Sequence, residues 1–79
     1  MSEIVFEKVA SMVSRKKGIN KELISIDSSF EELGLDSLDS IELIADMEEE
    51  FNVIIPNTEL QEIKTIRNAV NGLSKALNG

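Results

Sequence analysis

The residue best surrounded for chemistry is Ser37, in LGLDSLDSIEL, Leu33 to Leu43. A glycine lies shortly before it, acids flank it, and a helix-like run follows. A serine acts as a nucleophile when a base within hydrogen-bond reach takes its proton, usually a histidine or lysine. The chain has no histidine and no cysteine. No Lys or Arg lies between Glu22 and Lys64. A lysine folded back among the acids there would have a raised pKa and stay protonated. These facts argue against hydrolase chemistry by Ser37. Three readings stay open. Asp36-Ser37 can be an ordinary helix start. Ser37 can be a residue that another enzyme modifies, because a phosphodiester at a helix N-terminus meets free N–H groups and the positive dipole end. Ser37 and Ser40, set among acids, can also be regulatory phosphosites.

Four helical segments are expected to position this serine. The first covers Ser2 to Lys17. Val5, Val9, Met12 and Val13 recur at helical spacing, with Phe6 widening the stripe. Ser2 is its expected cap, basic residues favour its C-terminus, and Gly18 can end it. A long connection, Ile19 to Asp36, carries Leu23, Ile24, Ile26, Phe30, Leu33 and Leu35. So many apolar residues predict that it packs along the bundle. Ser28–Glu31 and Ser29–Glu32 each fit a capping box, and predict one short helical turn. The second helix begins at Asp36–Ser37 and reaches Phe51. A short third one follows Pro56, capped by Asn57 or Thr58. The fourth runs from Thr65 to Leu77 with Ile66, Ala69, Val70, Leu73 and Leu77 as its stripe. Asn52–Pro56 reads as loop. The fold class is all-α: a small four-helix bundle, three helices longer and one short, with a long first connection.

Composition narrows the function. The 79 residues make one domain, 1–79, without disulfides or a Cys/His metal site. The formal charge of −7 argues against nucleic acid and against stable association with an anionic membrane. The N-terminus lacks the pattern of a secretory signal, and the expected location is cytoplasmic. Charge is uneven. Between Glu22 and Lys64 lie twelve of the fifteen acids, and all eight bases fall outside. An acidic middle suggests a docking surface for a basic partner, although acids also simply solvate helix faces.

The second helix has two apolar faces. At 100° per residue, Leu43, Ile44, Met47 and Phe51 form one side, suited to the core. Leu38, Ile41 and Ala45 form another, rimmed by Glu42 and Glu49 on one edge and Glu48 on the other. Scattered surface apolars need no reason, but this patch begins beside Ser37. It reads as a face that enters a partner while acids guide the approach.

At this point the pattern resembles the acyl carrier proteins. Asp36-Ser37-Leu38 looks like their phosphopantetheine attachment site, and FEELGLDSLDSIELIADMEEEFNVIIP matches the family through loop, helix and proline. The resemblance covers essentially the whole chain. It implies that a phosphopantetheinyl transferase attaches 4′-phosphopantetheine from coenzyme A to Ser37. The arm's thiol would carry acyl groups, and the chain would be a shuttle, not an enzyme. Asp36, Leu38, Asp39, Ile41, Glu42, Ala45, Glu48 and Glu49 would meet basic patches of acyl-processing enzymes. Met47, Phe51, Ile55, Leu60, Ile63 and Ala69 would shelter the acyl chain. The protein would work as a monomer in fatty-acid-type synthesis. Asn57, Thr58 and Gln61 stand where many fatty-acid carriers have acids, and Leu60 where a small residue is common. They keep a carrier for a polyketide or other dedicated pathway open, as does a non-carrier acidic interaction domain.

Overall fold

The computed structural model describes residues 2–78. Among them, α1 is Ser2–Lys17, α2 Ser37–Phe51, α3 Asn57–Leu60 and α4 Ile66–Asn78. No strand forms among these residues; one isolated antiparallel bridge joins Ser29 to Thr65. This is the expected all-α bundle. The cap expected at Ser2 falls on a side chain outside the described ones.

α1 ends as its sequence demands. Gly18 takes φ +68, and its N–H donates to Ser14 O at 2.8 Å. Such left-handed positions favour glycine. α1 packs against α4 and α2, and α4 also meets α2. Val5, Val9, Met12 and Val13 of α1 are buried, with Leu43, Ile44 and Met47 of α2 and Ile66, Ala69, Val70 and Leu73 of α4. Phe6 and Phe51 pack partly against this core.

The long connection is tethered at both ends. Ile24, Phe30 and Leu35 are buried and Ile26 and Leu33 partly so. The Phe30 N–H donates to Lys64 O and the Ile66 N–H to Ser28 O, both at 2.9 Å. Arg67 donates twice to Asp27 Oδ1, at 3.1 and 2.9 Å.

Several local expectations need correction. Leu23 is 70% exposed and Leu77 38%. Leu23 closes a short 3₁₀ turn, Lys21–Leu23, capped by Asn20; Leu77 sits in the last turn of α4. Neither Asn57 nor Thr58 caps α3. Pro56 holds the cap position without a side-chain bond, and its carbonyl accepts from the Glu59 and Leu60 N–H groups. Thr65 lies outside α4 as its cap, with Oγ1 accepting from the Asn68 N–H at 3.1 Å. Of the two capping boxes only Ser29–Glu32 forms, with both reciprocal bonds. Ser28 Oγ instead accepts from the Ser25 N–H.

Gly72 sits inside α4, where a Cβ would meet Ile63 Cδ1 at 3.7 Å and Ile55 Cδ1 at 4.0 Å. Those are ordinary contacts. Gly72→Ala is therefore expected to stabilise the fold by about 0.5–1 kcal/mol, the helix-interior difference between the two residues. A denaturant titration with an unchanged slope and a higher midpoint is the expected reading.

Candidate functional site

Ser37 is the first residue of α2, and the turn before it places it there. Ser29–Glu32 opens a single helical turn, and Leu33 N–H donates to Ser29 O at 3.2 Å. Gly34, at φ +80, ends that turn. The Gly34 N–H donates to Glu31 O at 3.0 Å and the Leu35 N–H to Phe30 O at 2.9 Å. This is a Schellman closure, and Phe30 and Leu35 bury the apolar contact that accompanies it. The chain leaves it extended at Asp36, which caps α2.

The cap is a complete box. Asp36 Oδ1 accepts from the Asp39 N–H at 2.7 Å, and Asp39 Oδ2 accepts from the Asp36 N–H at 3.3 Å. Ser40 Oγ donates to Asp36 O at 2.9 Å. Ser37 is thus not the cap. Its side chain is exposed, and its hydroxyl has no hydrogen-bond partner among the described residues. The N–H groups of Ser37 and Leu38 are two of the orphan donors at a helix start. Ser37 opens onto a cleft of about 950 Å³ lined by Phe30, Leu35, Ile41, Ile44, Ala45, Leu60 and Ile63, with Glu31, Glu48 and Lys64 also at its walls.

Residues 7–73 match the family described as "Phosphopantetheine attachment site". An acyl carrier protein of Cyanidium caldarium is 42% identical over 77 residues, covering 96% of this chain and 90% of that protein. The chain belongs to the acyl carrier protein family. An acyl carrier protein of Chlorobium phaeobacteroides is 41% identical over 87% of this chain and 90% of that protein. The crystal structure of the acyl carrier protein of Thermotoga maritima superposes with a TM-score of 0.85 at 28% identity, covering 98% of this chain and 91% of that one.

The prosthetic group of this carrier family is 4′-phosphopantetheine, and the surroundings of Ser37 fit it. An unspent, exposed hydroxyl stands at a helix start with two orphan N–H donors, at the mouth of an apolar cleft.

α2 is exposed along Leu38, at 64%, and Ile41, at 65%, with Ala45 beside them. Its acids are less free than a helical wheel suggests. Asp39 sits 3.5 Å from Lys17 Nζ and Glu42 3.0 Å from Lys16 Nζ, both on α1. Glu48 Oε2 accepts from the Ile55 N–H at 2.7 Å and so pins the loop after α2. Glu49 makes no such bond among the described residues. Of the residues expected around an acyl chain, Leu60 and Ile63 line the cleft. Met47, Ile55 and Ala69 are buried in the core, and Phe51 lies beneath Lys8 Nζ, 5.9 Å from its ring centre. Phe30, Leu35 and Ile44, expected only to pack, also line the cleft; Phe30 and Leu35 are joined by the backbone bond that closes the Gly34 turn.

Two groups titrate away from their ordinary values. The Asp36 N–H, and then the Lys17 ammonium, hold Asp39 below the usual carboxylate range. The hydrogen bond with Glu42 holds Lys16 above the usual lysine value. A depressed carboxylate contributes stability that is full above its unfolded value and is lost as pH falls through the folded one. Asp39→Asn should therefore be less stable than the unsubstituted chain at neutral pH. The gap should persist down to about pH 4, near the unfolded value of aspartate, and close below it. Melting curves of both proteins from pH 7 to pH 2.5 read this directly, and a gap unchanged at the acid end would contradict it.

Proposed function

We propose that Ser37 is the attachment point of the arm, and that the chain, as one carrier domain and a monomer of the cytoplasm, shuttles acyl groups among fatty-acid-type biosynthetic enzymes. One observation carries this reading: the capping work is done by Asp36 and Asp39, which leaves the Ser37 hydroxyl exposed and unspent at the mouth of an apolar cleft. When attached, the arm supplies a thiol on which acyl groups ride as thioesters. The chain's own contribution is presentation. The Gly34 closure and the Asp36 cap fix where Ser37 stands, and a transferase reaches it from solvent. In this reading the chain is a carrier, and catalysis belongs to the partner enzymes. Among the described residues no helix is long and apolar enough to cross a membrane.

The cleft offers apolar walls to a chain carried on the arm. Leu60 lines it from α3, which makes it a residue where a dedicated carrier would differ from a general one. Leu38, Ile41 and Ala45 form the docking face, with Glu49 the acid most available to a partner's cations. Burying one apolar anchor at an interface centre is commonly worth more than about 1 kcal/mol. Ile41→Lys should thus lower kcat/KM of an acyl-processing enzyme for the loaded carrier about tenfold or more, with melting unchanged within about 0.5 kcal/mol. Steady-state rates at limiting carrier concentration measure it.

The reading itself is tested by incubating the purified apo protein with coenzyme A and a phosphopantetheinyl transferase. A mass gain of one arm is expected. A non-carrier acidic interaction domain would show none.

A further inference from the structure

Six of the eight bases are engaged in ion pairs: Lys8, Lys16, Lys17, Lys21, Arg67 and Lys75. Among the described residues, Arg15 and Lys64 are left. Arg15 borders clefts with Asp46, Glu49 and Glu50, away from Ser37. Lys64 lines the cleft onto which Ser37 opens. The other charged residues lining that cleft are Glu31, Asp36 and Glu48, all of which repel an anion.

The backbone of Lys64 is held in place. Its N–H donates to Asn68 Oδ1 at 3.2 Å. Its carbonyl accepts from Phe30, whose own carbonyl accepts from Leu35, two residues before Ser37. Lys64 is therefore fixed to the same turn that presents the serine, while among the described residues its ammonium has no carboxylate within ion-pair distance.

We propose that Lys64 is a positioning residue: its ammonium faces the phosphodiester once the arm is joined to Ser37, and draws the arm along the cleft rather than out into solvent. The inference rests on Ser37 being the attachment point. A phosphodiester keeps a negative charge at neutral pH. Next to three carboxylates it would favour the exit from the cleft, and the one cation at the wall opposes that preference. A charge interaction at an exposed site weakens with salt, which separates it from plain packing.

The test uses the loaded protein, with loading verified by intact mass, and isotope-labelled Ile and Leu methyl groups. Attachment of the arm should shift the methyl signals of Ile41, Ile44, Leu60 and Ile63. Lys64→Gln should load with one arm and lose these shifts, while Lys64→Arg should retain them. Raising salt to about 1 M, where the screening length is about 3 Å, should move the spectrum of the unsubstituted protein toward that of Lys64→Gln and narrow the difference between the two. Lys64 is exposed, so neither substitution threatens the fold. Equal shifts in Lys64→Gln and the unsubstituted protein, both loaded, overturn this inference alone. A protein that takes no arm overturns the reading of Ser37 and this inference with it.

Discussion

Ser37→Ala is expected to lose all loading by a phosphopantetheinyl transferase while melting at the temperature of the unsubstituted chain. The two halves of that result have separate causes. Loading needs the hydroxyl, and Ser40 is no substitute, because its Oγ already donates to the Asp36 carbonyl. Stability does not need it, because the box that starts α2 is made by Asp36 and Asp39. Surface substitutions away from caps and cores commonly stay within about 0.5 kcal/mol. Asp36→Ala provides the contrast. It removes the acceptor of the 2.7 Å bond from the Asp39 N–H, and loss of such a cap costs about 1 kcal/mol. For a domain of this size that is about 4–8 °C in Tm. If Ser37→Ala melted as early as Asp36→Ala, Ser37 would be doing structural work that the hydrogen bonds do not assign to it.

The largest effect on stability is expected from Leu73→Ala. Leu73 is fully buried in α4, in the layer that faces α1 and α2. Truncating a buried leucine costs about 2–5 kcal/mol, the transfer of its methyl groups plus the void left behind. At about 0.05–0.15 kcal/mol per residue, a chain of this length holds only about 4–12 kcal/mol in all. One substitution thus removes a large fraction of the total. The denaturation midpoint should fall steeply with little change in slope. The neighbouring substitution Gly72→Ala moves the other way, so the pair brackets how tightly this part of α4 is packed. A Leu73→Ala protein as stable as the original would mean that the α4 stripe is not the seam of the bundle.

Much of this architecture was legible from local pattern. Helical spacing located α1, α2 and α4 because each carries a core stripe, and most of the stripe residues are buried; Leu77 is exposed, and Phe6 and Phe51 are partly buried. The start of α2 was legible only to within two residues. Aspartate and serine are both good caps, and the choice depends on which of them holds an extended backbone. Here that is Asp36, at ψ −176, because the Gly34 turn delivers the chain to it. The cleft was less legible. Phe30, Ile44 and Lys64 come from three separate segments, and no periodicity connects them. Backbone bonds tie Lys64 to Phe30 and Phe30 to Leu35, and Ile44 joins them at the cleft from α2. The acidic face was half legible. A wheel places Asp39 and Glu42 outward, but cannot see that Lys17 and Lys16 of α1 reach across to them. The 3₁₀ turn at Lys21–Leu23 was not legible, since Leu23 is its one apolar residue and none of its residues is buried.

The identity of the modified atom is the point on which the rest depends. Fragmentation mass spectrometry of the loaded protein tests it most directly. One arm per chain is expected, borne on the fragment ions that contain Ser37 and on none that contain Ser40 alone. An arm carried by Ser40, by any other serine, or by no residue at all would contradict it.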